Sequence, residues 1–248
     1  MSGHSKWKTI KNKKGKADAQ RGKIFTKLAR YITVAVKEGG PDPNYNSSLA
    51  TAIEKAKAQN MPNDNIDRAI KTGMAASSGE NFETITYAGY GPRGTAFMVQ
   101  CLTNNNNRTA ADVRHYFTKN NGNLGTTGCV GYLFSRKGII SIELSDSIDE
   151  ETLMMASLEA GAEDFETQDD SYEITTSPED FINVLNALKE AGYTNIRGDV
   201  MYIPATTVKV EDEESVKYLE RLIESLEDND DVQEVYHNWD MPEEEDEE

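Results

Sequence analysis

The apolar pattern of this 248-residue chain changes once, at residues 77–81. Before that point apolar residues recur every three or four positions, with Phe25, Leu28, Ile32 and Val36 as the clearest run. That spacing is typical of an amphipathic helix. After the "SSGEN" at 77–81, short apolar and β-branched runs bounded by turn residues predominate, which is typical of strands. The sequence therefore predicts a helical N-terminal part followed by a part that contains both strands and helices.

The predicted elements follow a simple order. Three helices are predicted from Ala17 to the Gly39-Gly40-Pro41 stop, over 47–60 and over 63–72. Later helices are predicted near 108–119, 149–160, 178–190 and 213–227, between strands at 82–87, 95–102, 130–135, 138–144, 171–175, 195–203, 206–210 and 232–237, with a weaker strand near 163–167. Pairs of strands followed by a helix indicate an α+β fold, with helices layered on antiparallel sheets.

Charge is segregated along the chain. The whole sequence has a formal net charge of −17, yet residues 1–75 hold fifteen Lys and Arg against six Asp and Glu. A basic segment on an acidic body predicts a polyanionic partner for that segment. The last six residues, EEEDEE, are a like-charge run that we expect to be disordered.

The basic residues fall into two groups. A glycine-punctuated arm carries Lys6, Lys8, Lys11, Lys13, Lys14 and Lys16. Arg21 starts the first predicted helix, and Lys23, Lys27, Arg30 and Lys37 follow at spacings that place them on one side of it. Arm and helix together are a plausible footprint for a phosphate backbone. Two other interpretations are a merely solubilising role and binding to an anionic membrane, although the arm lacks the large apolar residues that insert into an interface.

Trp7 lies between Lys6 and Lys8 without apolar neighbours. Its ring either stacks on a base or folds back as an anchor onto the helical part. The sequence does not separate these two roles.

No enzymatic motif is present. His4, His115 and His237 have no metal-ligand spacing, and neither a GxSxG elbow nor a GxxxxGK[ST] loop occurs. Cys101 and Cys129 form no CxxC pair, and two lone thiols favour a reducing, cytoplasmic location. No run of about 18 apolar residues that would span a bilayer is found. We therefore predict no catalytic residues, no metal, no cofactor, no small-molecule substrate and no membrane.

Three loops have two interpretations each. "GYGPRG" at 89–94 is expected to connect a hairpin, with Arg93 at its tip as a possible contact. "NNNNR" at 104–108 either caps a helix or forms a recognition loop with Arg108 and Arg114. "GNLGTTG" at 122–128 follows a predicted helix and precedes a strand, the reverse of a dinucleotide-binding loop, so its glycines are interpreted as turn residues.

Several of these stretches resemble the YebC/PmpR family. The motifs are "GHSKW" at 3–7, "RGKIFTKLAR" at 21–30, "KEGGPDP" at 37–43, "NMPNDNIDRAI" at 60–70, "GYGPRGTA" at 89–96, "NRTAADVRH" at 107–115, "GNLG" at 122–125 and "FSRKG" at 134–138. The resemblance covers essentially the whole chain. It implies a basic helical nucleic-acid-binding domain over 1–78, a discontinuous α+β domain over 79–130 and 205–240, an inserted α+β domain over 131–204 and an acidic tail over 241–248. Both α+β domains would be ferredoxin-like.

The resemblance also implies a function without catalysis. Members are usually described as cytoplasmic DNA-binding transcriptional regulators, and some, including mitochondrial translational activators, as ribosome-associated factors that relieve stalling on proline-rich stretches. The residues alone indicate nucleic acid as the partner, whether DNA, ribosomal RNA or tRNA, but separate these two functions only weakly. A third possibility is a protein-interaction adaptor that acts through its acidic surface, and it leaves the basic segment unexplained.

Overall fold

A computed structural model describes residues 18–75, 82–145 and 147–241, and for residues 18–21 the backbone only. Helices in the described residues are α1 Asp18–Gly39, α2 Ser47–Ala58, α3 Asn63–Ala75, α4 Asn106–Lys119, α5 Glu150–Glu159, α6 Phe181–Glu190 and α7 Glu213–Asp228. The strands are β1 Glu83–Tyr90, β2 Ala96–Thr103, β3 Asn123–Leu124, β4 Phe134–Glu143, β5 Asp164–Thr167, β6 Ser171–Thr176, β7 Ile196–Pro204, β8 Val208–Lys209, β9 Val232–His237 and β10 Trp239–Asp240. The predicted α+β class is confirmed.

The chain divides into two compact units. The first contains the described residues of 1–79 and 136–201, and the second those of 80–135 and 202–248. The division into three domains with the boundaries given above stays a prediction.

The first unit contains a helical part, α1 to α3, with its own core. Leu28, Ile32 and Val36 of α1 pack with Leu49 of α2 and Ile66 of α3. These are the apolar positions whose spacing predicted the helices, because one turn of helix returns a side chain to the same face.

The first unit also contains a four-stranded sheet in the order β5-β6-β4-β7. Ile140 and Ile142 of β4 and Ile174 of β6 pack with Phe181 and Leu185 of α6 in a second core. Two ion pairs join this part to α2: Lys55 Nζ lies 2.8 Å from Asp199 Oδ2, and Lys189 Nζ lies 2.6 Å from Glu54 Oε2. Burial raises the pKa of Glu54, but the hydrogen bond and charge of Lys189, followed by those of Lys57, outweigh it and hold the pKa below its usual value.

The second unit contains an antiparallel sheet in the order β3-β1-β2-β9. The side chains of Phe97, Phe117, Leu222, Val235 and Trp239 belong to its core. The short strand β8 pairs in parallel with β10, opposing Val208 to Trp239.

The predicted strand at 130–135 was wrong. Residues Gly131–Leu133 form a 3-10 turn, and one strand then runs from Phe134 through Gly138 to Glu143. The prediction left a gap at Arg136 and Lys137, between strands at 130–135 and 138–144. In the structure, Gly138 lies under Phe181, where an added Cβ would stand 2.8 Å from the Phe181 Cβ, so the glycine serves a close approach within a strand.

No helix within the described residues has both the length and the apolar content required to cross a bilayer.

Candidate nucleic-acid interface

Helix α1 carries its apolar and basic residues on opposite sides. Leu28, Ile32 and Val36 face the core, and Lys23, Lys27, Arg30 and Lys37 are about half a turn away, since each residue rotates the helix by about 100°. The sequence predicted this separation from spacing. Packing against α2 and α3 therefore fixes the direction in which the basic face points.

The crossing of α1 and α3 holds that face in place. A Cβ added to Gly73 would lie 2.7 Å from the Val36 Cβ and 2.8 Å from the Thr33 carbonyl oxygen, so the two backbones approach closely. The Thr33 hydroxyl donates hydrogen bonds to the carbonyls of Ala29, at 2.9 Å, and Ala69, at 3.2 Å. The basic face is therefore attached to a tightly packed helix pair.

The basic face is not uniformly open to solvent. Lys23 and Lys37 are exposed, whereas Lys27 and Arg30 are half-buried. Val34 lies on the same side of the helix and is only 6% exposed. Each of the four cations also takes part in an interaction with the rest of the chain. Lys23 and Lys37 are consequently the accessible positions along α1.

The loop after α1 presents an exposed aromatic ring. Gly40 ends the helix with a φ of +87°, a conformation that favours glycine. The Asn46 side-chain amide then joins α1 to α2. It donates to the carbonyl of Ala35 in α1 at 2.8 Å and accepts from the Leu49 N–H of α2 at 3.0 Å. Between these anchors the Tyr45 side chain is 89% exposed. The lone aromatic in "GGPDPNYN" was the available signal, and sequence reasoning missed it.

The remaining predicted contacts of the N-terminal arm, Lys6, Trp7, Lys8, Lys11, Lys13, Lys14 and Lys16, lie outside the described residues, as do the linker at 77–81 and residues 242–248 of the acidic tail. Arg21 lies in the first turn of α1.

Arg93 lies at the hairpin connection between β1 and β2, as predicted for the "GYGPRG" loop. Its Nε donates to Asp212 Oδ2 at 2.9 Å. Asp212 caps α7 by accepting from the Ser215 N–H at 2.9 Å. Hydrogen bonds from Ser215, followed by the hydrogen bond and charge of Arg93, lower the pKa of Asp212 to about 2.

Arg108 contacts a buried carboxylate. Its Nη2 lies 2.6 Å from Oδ2 of Asp231, whose side chain is 8% exposed, and the hydroxyl of Thr109 donates to the same oxygen at 2.8 Å. Asn105 caps α4 by accepting from the Arg108 N–H at 3.1 Å. The capped-helix interpretation of "NNNNR" is thus what the structure shows. The roles of Arg93 and Arg108 as nucleic-acid contacts stay predictions, and any ligand would compete with their carboxylates.

Arg114 lies on the outward side of α4 together with His115 and Lys119, and all three are exposed. Across the described ranges, Arg114 and Lys119 form no ion pair within 4.0 Å. The stretch 84–142 contains six Lys and Arg but only one carboxylate, that of Asp112. Charge counted over residues 1–75 and over the remainder of the chain concealed this stretch.

Two of the three histidines lie in the described residues. His115 is exposed on α4, and His237 is buried beside the rings of Phe97 and Trp239. Groups of three His, Cys, Asp or Glu side chains suited to a metal ion are absent from the part of the chain that the structure describes. The "GNLG" segment forms the short strand β3 and a turn, in which the Gly125 N–H donates to the Ala88 carbonyl at 2.9 Å.

Two family models match almost the whole sequence. The model of the TACO1/YebC protein N-terminal domain matches residues 5–76, and the model of the TACO1/YebC second and third domain matches residues 82–239. The chain belongs to the TACO1/YebC family. The predicted membership is confirmed.

TACO1/YebC relatives are similar over their full length. A protein of Finegoldia magna is 58% identical over 240 residues, covering 97% of this chain and 99% of the relative. One from Clostridioides difficile is 59% identical over 232 residues, with 94% and 97% covered, and one from Ruminiclostridium cellulolyticum is 56% identical with both chains fully covered. All three are named "Probable transcriptional regulatory protein".

A solved structure is also similar to this TACO1/YebC chain. The crystal structure of a conserved hypothetical protein from Aquifex aeolicus has a TM-score of 0.79 and 46% sequence identity, and the match covers 95% of this chain and 96% of that one.

Proposed function

We propose that the protein is a non-enzymatic, cytoplasmic regulator of gene expression that binds nucleic acid through its basic arm and helix α1. In this proposal it acts as a DNA-binding transcriptional regulator, the role that the names of its relatives describe. Lys6, Lys8, Lys11, Lys13, Lys14 and Lys16 of the arm, with Arg21, Lys23, Lys27, Arg30 and Lys37, neutralise phosphates.

The observation that carries the proposal is the opposition of the two faces of α1. The apolar face is buried against α2 and α3, and Lys23 and Lys37 are exposed on the other side, in a chain whose net charge is −17. A protein this acidic is soluble without a basic helix, so solubility does not account for the segregation. Neutralisation of phosphates, with release of their counterions, accounts for the segregation of basic residues on one side of α1.

Tyr45 supports contact with bases as well as phosphates. Its ring is 89% exposed in the loop that follows Lys37 by eight residues. Exposed aromatic rings beside basic residues stack on unpaired bases. In the proposal Tyr45 provides this stacking from the folded part of the domain, and Trp7 provides it from the arm.

A second candidate is a ribosome-associated translation factor that binds ribosomal RNA or tRNA and relieves stalling. The outward side of α3 favours it: Asp64, Asp67, Arg68 and Lys71 are exposed there and mix both charges. Two exposed carboxylates on one helix side repel the phosphates that flank a major groove, which disfavours α3 as a reading helix. Recognition by shape and phosphates, which is usual for structured RNA, requires no reading helix.

The test is co-sedimentation of the full-length protein with ribosomes across a salt series, with duplex DNA as competitor. The test variant carries Lys13→Glu, Lys14→Glu, Lys23→Glu and Lys37→Glu. A matched control reverses four charges elsewhere, at Lys209, Lys217, Arg221 and Arg197. If about six phosphates are neutralised, log affinity for the preferred partner falls with log salt at a slope of about −4 to −5.

The outcomes separate the two candidates. Transfer of the wild-type protein from ribosomes to DNA supports the transcriptional regulator. Retention on ribosomes despite DNA, lost in the test variant only, supports the translation factor. Binding that is equal in the wild type and in the test variant contradicts both, because the basic segment would then not be the binding surface.

A further inference from the structure

The second unit has a basic face of its own, on α4. Asn107, Ala111, Arg114 and Thr118 recur every three or four residues along one line of the helix, with His115 and Lys119 beside them. All six are exposed, and none carries a carboxylate. The nearest acidic residue on the helix, Asp112, is half-buried and lies 3.5 Å from the Asn229 amide nitrogen. We call these six residues the α4 face.

The α4 face is held rigidly. On its inner side Val113 and Phe117 are fully buried in the core of the second unit. At the N-terminal end, Asn105 caps the helix and Arg108 is tied to Asp231. At the C-terminal end, the buried Asn120 amide donates to the Tyr116 carbonyl at 2.9 Å. A ligand would therefore meet a preformed surface, with little ordering of the backbone required.

The cations of the α4 face are not engaged elsewhere in the described structure. Arg93 and Arg108 of the same unit have carboxylate partners, at 2.9 and 2.6 Å, whereas Arg114 and Lys119 have none within 4.0 Å among described residues. Arg114 and Lys119 are five positions apart, a rise of about 7.5 Å along α4 and a rotation of about 140° around it, so they lie at opposite edges of its exposed side.

Polar groups beside the cations fit the same ligand. Asn107 offers an amide on the line of Arg114, whereas the Thr118 hydroxyl already donates to the Arg114 carbonyl at 2.9 Å. Amide and guanidinium donors are among the usual contacts to phosphate and sugar oxygens.

We propose that the α4 face is a second nucleic-acid site that contacts the phosphate backbone through Arg114 and Lys119. This proposal rests on the proposed function, since it places a second contact on the nucleic acid that the basic arm and α1 bind. His115 and Asn107 add hydrogen bonds. The site contributes affinity and orientation, but no base discrimination, because phosphate contacts are independent of sequence.

The test uses the full-length protein with Arg114→Glu and Lys119→Glu, and the probes are a random-sequence DNA duplex and an RNA duplex of the same sequence. Lys209→Glu with Lys217→Glu is the control, since it makes the same charge change at exposed positions of the same unit. Fluorescence anisotropy is measured between about 50 and 200 mM salt. We expect the α4 variant to bind the preferred duplex about tenfold more weakly at low salt, with a slope smaller in magnitude by about 1.4–1.8.

Equal affinity and slope for the α4 variant and the control would overturn the proposal. Failure of the proposed function has a different signature, because Lys23→Glu with Lys37→Glu would then leave duplex affinity unchanged. A third outcome is that poly-glutamate binds the wild type and not the α4 variant while duplex affinity is unaffected. That result would also overturn the proposal and assign the face to an acidic protein segment.

Discussion

Arg108 and Asp231 lie 123 positions apart in the chain, and their Nη2 and Oδ2 atoms are 2.6 Å apart. The carboxylate is almost fully buried, while the guanidinium is half exposed, so the pair joins the surface of α4 to the turn before β9. The backbone continues this link, because the Leu102 N–H donates to the Asp231 carbonyl at 2.7 Å. A helix, a central strand and an edge strand of the second unit therefore meet at one aspartate.

Replacing that aspartate should destabilise the second unit. We expect Asp231→Ala to lower the free energy of unfolding by roughly 2–4 kcal/mol, because the hydroxyl of Thr109 and the guanidinium of Arg108 lose their shared acceptor. The measurement is urea unfolding in a Trp7→Phe background, where the fluorescence of buried Trp239 reports this unit alone.

Removing the other partner provides the control. Arg108→Ala should cost less, about 1 kcal/mol, because a half-exposed cation contributes little. The buried hydroxyls of Thr103, at 3.3 Å, and Thr109, at 2.8 Å, still donate to Asp231 in that variant. Equal losses for the two variants would mean that the buried threonines contribute nothing.

A substitution at Gly73 tests the close packing of α1 against α3, which positions the basic face of α1. In an open helix Gly→Ala is stabilising, but here the new methyl group would meet Val36 and the Thr33 carbonyl at under 3 Å. We expect Gly73→Ala to destabilise the helical part by about 1–3 kcal/mol. Hydrogen exchange of the α1 and α3 amides measures the effect.

Gly22 is the matched control, since it lies in α1 with nothing within 4 Å of an added Cβ. Gly22→Ala should slow exchange, in line with a gain of up to about 1 kcal/mol. Slower exchange in Gly73→Ala as well would show that the two helices have room to separate.

These helices were predictable because the information is local. Apolar residues three and four apart defined α1, α2 and α3, and the Gly39-Gly40-Pro41 stop placed the end of α1 correctly. The partnership of Arg108 with Asp231 was not predictable, since nothing near either residue identifies the other. The sequence around Arg108 indicated a capped helix start, and Asn105 is indeed the cap.

The error at β4 has a similar origin. Exposed Arg136 and half-buried Lys137 before a glycine are typical of a turn, so two strands were predicted where one exists. The glycine is required by Phe181, a residue 43 positions later whose ring lies over it. Long-range packing overrides the local pattern at this position.

The ionisation of Asp212, the N-cap of α7, should make the stability of the fold depend on pH. The pKa of Asp212 is about 2, below its ordinary value of 3.8, so its ionised form stabilises the fold above the ordinary value, and that contribution is lost as the pH falls through 3.8 towards 2. NMR titration of the Asp212 carboxyl should give a midpoint near 2. Ser215→Ala should raise this midpoint more than Arg93→Gln does, because the hydrogen bond of the Ser215 hydroxyl is the largest single cause of the lowered pKa.

Stability should follow the same titration. Wild type and Asp212→Asn should differ in unfolding free energy above the ordinary pKa of 3.8 and converge as the pH falls towards 2. A constant difference over that range would indicate that the cap does not depend on the charge.

Tyr45 should matter for binding and not for folding. Its ring is 89% exposed, so Tyr45→Ala should leave the unfolding midpoint unchanged. If the ring stacks on an unpaired base, Tyr45→Ala should weaken the binding free energy for single-stranded nucleic acid by about 1–3 kcal/mol. Tyr45→Phe should bind as tightly as the wild type. Anisotropy with a single-stranded oligonucleotide measures this, and equal binding of all three proteins would exclude stacking.

The pairing of β2 with β9 sets the order in which the molecule can be assembled during synthesis. Phe97 of β2 pairs with His237 of β9, a residue that is translated 140 positions later. The central strand β2 therefore lacks one of its two neighbouring strands until β9 has been synthesised. The strands and helices of 136–201 form a core of their own and are complete before β9 is made. The inserted segment can therefore fold first on the ribosome, while β1, β2 and α4 stay unprotected. A chain released before residue 232 would contain one finished unit and one whose apolar strands remain exposed to aggregation and proteolysis.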